Sequence, residues 1–416
     1  MSGRSRAAAV YLFIESTVSA LFQMAFVVTS LYEATVAGLT PLELVLVGTT
    51  IELSIFLLEI PTGVVADVYS RRLSVIIGYA LIGLAFLVEG YFPAFLPILL
   101  AQVIWALGYT FTSGASEAWI SDEIGEQTAN KLFLRANRLG LFASLIGTAL
   151  AVPIGAQVSA MPIRVAGFGT IFVALLLLVV MPETGFRPAP KEDRSTWGHM
   201  WHTFRQGVNA VRLRPRLLPI LGVGLFYGLY SEGFDRLWVK HMLDTFALPA
   251  FFGQTEVGFF ALMRAGAVLL SIAATHFVEK RLNTESPSAI GRAVIAITAL
   301  LAAAIIGFAL SPFLALTIGI YWLISMLRNV NNPLHTAWVN QRLDPQVRAT
   351  VLSMSGQVDA IGQVAGGPSV GLIARAFSVV AAITTSGLLL TPALWLARRA
   401  GSLTDAAPRA EQSPAD

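Results

Sequence analysis

The 416-residue chain contains no cysteine, which excludes a disulfide framework, a thiolate metal site and a thiolate nucleophile. Charge is scarce as well. Only 13% of residues are Asp, Glu, Lys or Arg, about half the share in an average soluble domain, whereas 55% are hydrophobic. A soluble protein this apolar could not cover its own core. The five His residues are scattered without an HExxH or similar ligand spacing, so no metal site is expected. A GxxxxGK[ST] phosphate loop and a GxGxxG fingerprint are both missing. Neither a cofactor, nor a nucleic-acid partner, nor an enzymatic activity is therefore expected. Any work the chain does draws on an ion gradient rather than on ATP it hydrolyses itself.

What the chain has instead is long apolar runs. They recur at 9–32, 42–66, 73–91, 94–118, 133–160, 163–182, 217–242, 255–277, 288–310, 313–337, 350–374 and 377–397, each near the length that crosses a bilayer. Twelve spanning helices follow. The N-terminal residues carry Arg4 and Arg6 but no small-residue cleavage site, so the first run reads as a retained signal-anchor helix. With the N-terminus placed in the cytoplasm, only Arg164 and Arg375 among the loop and helix-end basic residues fall outside. That asymmetry puts both termini in the cytoplasm and the protein in the cytoplasmic (inner) membrane.

The longest internal polar stretch, 183–216, divides the spans six and six. The expected organisation is a six-helix bundle over 1–182, a cytoplasmic linker over 183–216, a second six-helix bundle over 217–397 and a disordered tail over 398–416. The halves look like parallel repeats. Val47-Gly48 to Arg72-Leu73 matches Val257-Gly258 to Arg281-Leu282, Ala118-Trp119 matches Ala337-Trp338, and Gly147…Pro153 matches Gly362…Pro368. Such a repeat suits a transporter built on a pseudo-two-fold axis along the membrane normal. In the linker, Trp197, Met200, Trp201, Phe204, Val208 and Val211 form one helical stripe. This helix either lies on the inner leaflet or packs on the protein's cytoplasmic face.

The most specific local pattern is GVVADVYSRR, running from Gly63 through Asp67 to Arg71 and Arg72 between two spans. It resembles the loop between helices two and three of the major facilitator superfamily. That resemblance implies an all-α membrane protein of twelve helices in two pseudo-symmetric bundles, a monomer in the lipid bilayer that moves small molecules, with protons in the drug/proton antiporter (multidrug efflux) branch. It also implies that Asp67 helps hold the cytoplasmic side closed. An anion there suits the positive N-terminal end of the eleventh span near Arg348, and Gly63 suits a close helix approach. The matching loop of the second half keeps Glu279, Lys280 and Arg281 but lacks the Gly and Asp, so the latch is asymmetric.

Ionisable residues inside spans are costly and usually paired or functional. Glu52 sits roughly 15 Å deep by helix rise, near the midplane, with no basic residue within one turn. Asp359 lies near the middle of its span, and Glu15 is shallower. A carboxyl group in a low-dielectric site takes and releases a proton near neutral pH. Glu52, Asp359 and Glu15 are therefore the candidate proton-coupling groups, the alternative for each being a structural ion pair. Glu232, Asp235 and Arg236 stand at i, i+3 and i+4, where Glu232 and Arg236 neutralise each other as a gate or structural pair. The family resemblance implies that spans one, four, seven and ten line the cavity. Those spans supply Gln23, Trp105, Tyr109, Tyr227, Tyr230, Trp322, Arg328 and Asn329, together with Glu232 and Arg236. Aromatic surface with a few carboxylates suits bulky apolar or cationic molecules.

The exporter pattern is incomplete. Ile104 stands where many proton-coupled exporters carry an Arg four residues before Gly108, and Val152-Pro153 lacks the Gly before Pro in the fifth span. The fuller Gly-Pro motif, Gly366-Gly367-Pro368, is in span eleven. The expected function is proton-coupled efflux of lipophilic or amphipathic drug-like molecules by alternating access. The alternative is an importer or facilitator of a polar nutrient such as a sugar or organic anion.

Overall fold

The computed structural model describes residues 3–188, 198, 205, 217–249, 256–281, 286–340 and 345–405. Those residues form α-helices joined by short turns, with no strand among them. The first half holds α1 (Gly3–Thr35), α2 (Pro41–Val68), α3 (Arg71–Tyr91), α4 (Phe95–Thr112), α5 (Ala115–Ile124), α6 (Glu126–Gly155) and α7 (Met161–Val180). The second holds α8 (Leu217–Thr245), α9 (Glu256–Arg281), α10 (Pro287–Leu310), α11 (Leu314–Asn340), α12 (Pro345–Ala376), α13 (Val379–Leu388) and α14 (Thr391–Asp405).

Two spans are broken. The fourth divides into α4 and α5 at Ser113-Gly114, where Gly114 has φ 71°, a left-handed conformation that favours glycine. The twelfth divides into α13 and α14, with Pro392 opening the second piece. Counting each broken pair once, ten segments among the described residues are long and apolar enough to cross a membrane. The other two spans are α11 and α12, whose polar residues lower their hydropathy; those residues form the site described below. Together they complete the twelve-span, all-α architecture expected from the apolar runs.

Helix starts are set locally. Thr40 and Glu43 make a reciprocal capping box at α2, with Thr40 N–H donating to Glu43 Oε2 at 2.8 Å. Ser70 caps α3 and Ser378 caps α13, each accepting from the third backbone N–H of its helix. Large apolar side chains such as Leu96, Phe142 and Val179 stand exposed, as suits helices whose solvent is hydrocarbon.

The described residues group into two compact units, one taking residues up to 200 together with 242–265, the other 201–241 and those from 266 onward. Residues 242–265 thus cluster with the first unit, where Val257 reaches Gly155 of α6. Within the first unit α1 packs on α6, α3 on α4 and α7, and α2 on α4. The α1–α6 crossing has no room for a side chain at Gly147: a Cβ there would lie 2.1 Å from the Ala20 carbonyl oxygen. In the second unit α8 crosses α12 in the same way, a Cβ on Gly362 meeting the Leu225 carbonyl oxygen at 2.3 Å. The repeated Gly…Pro motif thus marks the tightest helix crossing of each unit. The second unit closes on a core including Leu217, Val223, Ile290, Val294, Trp338 and Val351.

The amphipathic helix expected over 195–212 lies outside the described residues, apart from Gly198 and Arg205. At the other end, α14 continues past 397 through Arg398 and Arg399 to Asp405, so the helix outlasts the boundary drawn from apolarity. Residues 406–416 of the expected tail lie outside the described residues.

Candidate functional site

A cavity of about 450 Å³ opens within the second unit among α8, α10, α11 and α12. On α11 it is lined by Arg328, Asn331, Asn332, His335 and Thr336, spaced i, i+3, i+4, i+7 and i+8. These positions share one face of the helix. On α12 the lining residues Leu352, Ser355, Gly356, Asp359 and Gln363 follow the same period. From α8 come Tyr227, Tyr230 and Asp235. Gly228 brings the α8 backbone close enough that a Cβ there would meet the Asp359 carbonyl oxygen at 2.0 Å.

The charges in this cavity are partly tied up. Arg328 and Asp235 form a bidentate pair, with Nη2 donating to Oδ2 at 2.7 Å and Nη1 donating to Oδ1. The same guanidinium lies 5.8 Å from the centre of the Tyr230 ring. Asp359 Oδ2 accepts from Gln363 Nε2 at 2.8 Å. The Tyr227 hydroxyl pairs with Thr298 Oγ1 and lies 3.3 Å from the Asn331 carboxamide oxygen. His335 Nε2 lies 3.3 Å from the Ile220 carbonyl oxygen. A carbonyl only accepts, so that nitrogen carries the proton.

Tyr227, Tyr230, Arg328 and Asp359 therefore meet in one place, together with Asp235. Other expected lining residues do not. Glu232 is buried and accepts from Arg236 Nε at 3.0 Å, away from the cavity wall. Asn329, one residue from Arg328 and so about 100° round the helix, donates to Ser271 Oγ on α9 at 3.2 Å. Trp322 packs on Gly266, where a Cβ would stand 2.9 Å from its ring. His335 and Gln363 were not anticipated. The signal that marks them is polar periodicity of 3.6 on apolar helices.

In the first unit, Trp105 and Tyr109 stack with centroids 5.3 Å apart and planes 8° from parallel. Phe22 and Phe26 pack on Trp105 and Phe86 packs on both phenylalanines, making an aromatic wall, with Gln23 half-buried beside Phe22 on α1. Glu15 is half-buried on α1 and lies within electrostatic range of Glu117 on α5, with Tyr11 and Tyr79 around it. Glu52 is half-buried on α2.

In the charged loop the arginines bond within the first unit. Arg71 Nη1 bonds to Asp122 Oδ2 and donates to the Ala118 carbonyl oxygen at 3.0 Å, whereas Asp67 is 3.9 Å away. The Arg72 backbone N–H donates to Glu183 Oε1 at 2.9 Å, and Ser70 Oγ donates to Glu183 Oε2 at 2.7 Å. Trp119 Nε1 donates to the Pro182 carbonyl oxygen at 2.6 Å. Arg71 and Arg72 thus fasten α3 to α5 and to the segment after α7. Among the described residues, a Cβ on Gly63 would meet nothing within 4 Å. Arg348 is exposed near the start of α12.

Apolar helices of spanning length, one bundle of them enclosing a charged cavity, define a multi-pass membrane carrier. The Major Facilitator Superfamily matches this sequence over residues 8–367, and the chain belongs to that superfamily. It is 22% identical over 355 residues to the uncharacterized MFS-type transporter YxaM of Bacillus subtilis (strain 168), covering 84% of this chain and 85% of the other. Its fold is similar to that of the nucleoside transporter NupG, with a TM-score of 0.71 and 13% identity over 97% of this chain and 99% of NupG. It is also similar to a bacterial homologue of the human lysosomal transporter Spinster, with a TM-score of 0.70 and 14% identity over 97% and 96% of the two chains. The protein is thus a secondary transporter of small molecules by family and fold.

Proposed function

We propose that this transporter exports lipophilic or amphipathic drug-like molecules from the cell in exchange for protons, working by alternating access in the cytoplasmic membrane. The observation that carries the proposal is the cavity of the second unit. At about 450 Å³ it matches drug-sized ligands, and it holds the Asp359 carboxylate among tyrosine rings. The stacked Trp105 and Tyr109 with Phe22 and Phe26 offer apolar surface in the first unit. Glu15, Glu52 and Asp359 are the proposed proton-coupling groups. Glu15 is the best supported of them, because a second carboxylate, Glu117, stands within electrostatic range of it. Protonation then shifts the balance between the two access states. Asp67, with Arg71, Arg72 and Arg348, is the proposed inner latch.

A second reading, import of a polar nutrient, is favoured by the carboxamides of Asn331, Asn332 and Gln363 on the cavity wall. NupG is a nucleoside transporter, but at 13% identity the likeness is one of fold. The deciding experiment reconstitutes the purified protein in liposomes with an imposed pH gradient and adds lipophilic drugs, nucleosides or sugars in turn. Export is supported by drug-triggered proton efflux that disappears in Glu15→Gln. Gradient-driven uptake of a nucleoside or sugar, with no proton movement on drug addition, establishes the importer instead.

A further inference from the structure

From the wiring of the second-unit cavity we infer that it selects organic monocations, the cationic group docking on Asp359 between the Tyr227 and Tyr230 rings. The inference rests on the reading of this cavity as the solute site and adds the charge of the solute to it.

The argument is one of charge left over. Besides His335, three acidic or basic side chains line the wall: Asp235 from α8, Arg328 from α11 and Asp359 from α12. Arg328 turns both terminal nitrogens to Asp235 and lies over the Tyr230 ring, so the pair is neutral as a unit. Asp359 is different. Among the described residues its hydrogen bond comes from Gln363, a neutral amide that leaves the carboxylate charge in place. His335 donates through Nε2 to the Ile220 carbonyl oxygen and sits edge-on to Tyr227, with ring centres 5.8 Å apart. It completes its local bonding as the neutral imidazole. From α10 the wall receives Leu301, which carries no charge. The cavity therefore holds one uncompensated negative charge.

Two tyrosine rings line the same cavity. Tyr227 and Tyr230 meet edge to face at 6.1 Å, and an ammonium group beside Asp359 gains both an ion pair and aromatic contact. The carboxamides of Asn331 and Asn332 remain for hydroxyl or carbonyl groups elsewhere on the solute. An organic anion finds the reverse: a carboxylate facing it and a guanidinium whose charge Asp235 already balances. Asp359 is also a proposed proton-coupling group, so a bound cation and a bound proton exclude each other there.

The test is binding by calorimetry to the purified protein in detergent, using three molecules of one skeleton: tryptamine, tryptophol and indole-3-propionate. Tryptamine is expected to bind about tenfold or more tightly than the neutral alcohol, with the anion weakest, as befits one charge-assisted contact. Asp359→Asn brings tryptamine and tryptophol to about equal affinity, whereas Asp359→Glu, which keeps the charge, keeps the preference. Equal binding of all three by the unaltered protein overturns the inference, and so does preference for the anion. Binding in detergent needs no gradient, so its outcome is separate from that of the proton-efflux assay. Proton-coupled export of uncharged molecules would leave the transport reading standing and sink this one.

Discussion

Replacing Asp235 by Asn isolates what the Arg328 pair does. The substitution keeps the side chain's shape and removes its charge, leaving a guanidinium with no counter-ion. Breaking a fully buried pair costs about 3–5 kcal/mol, and breaking a surface pair about 0–1 kcal/mol. Here the side chains are 29% exposed for Arg328 and 41% for Asp235, so the site lies between these limits. The expected loss is about 2 kcal/mol, near thirtyfold in the folded-to-unfolded ratio. At ~2 °C per kcal/mol for a large domain, Tm falls by about 4 °C. The chain's eight tryptophans make intrinsic fluorescence a sufficient probe of unfolding. Arg328→Gln should cost a similar amount, because it strands Asp235. The double variant should cost about 1 kcal/mol, well below the sum, since neither charge is then stranded. Asp235→Asn also frees the guanidinium, so indole-3-propionate should begin to bind. Additive losses, or no new anion binding, would refute the neutral-pair account on which the charge selectivity depends.

Four further substitutions test the helix crossings and the loop. Gly147→Ala places a methyl 2.1 Å from the Ala20 carbonyl oxygen, so α1 and α6 must separate; a loss of about 2 kcal/mol or failure to accumulate is expected, read as folded yield. Gly63→Ala meets nothing within 4 Å and should hold or raise Tm, since Ala is the better helix former by about 1 kcal/mol. Arg71→Gln should lower Tm more than Asp67→Asn does, because Arg71 bonds to Asp122 and the Ala118 carbonyl while Asp67 stands 3.9 Å off. Equal effects would return the loop to an Asp67-centred arrangement.

The architecture was legible because apolar run length reports directly on the bilayer: all twelve runs fall on the helical spans. The break in the fourth span was not, since it depends on one backbone angle at Gly114 that apolarity does not register. In the cavity, residue type was readable and direction was not. Arg328 and Asn329 are neighbours in sequence, and both are polar residues in a span. A rotation of about 100° sends one to the cavity and the other to Ser271. The stripe from Arg328 to Thr336 held that direction in its spacing. The bonds made by the loop arginines were out of reach for another reason. Asp122 and Glu183 are distant in sequence from Arg71 and Arg72, and only the packing of α5 and the segment after α7 brings the opposite charges together.

The α1–α6 crossing joins residue 20 to residue 147, so the first helix enters the bilayer long before its partner has been translated. At about 5–20 residues per second the delay is on the order of ten seconds. Throughout it α1 presents Glu15 and the bare backbone beside Ala20 with no α6 to cover them. The second unit repeats the delay, Leu225 waiting for Gly362. An insertase or chaperone that shelters the lone helix thus has a defined task at two moments of synthesis. Lesions at either crossing should surface as degradation of nascent chains, ahead of any defect in the finished carrier.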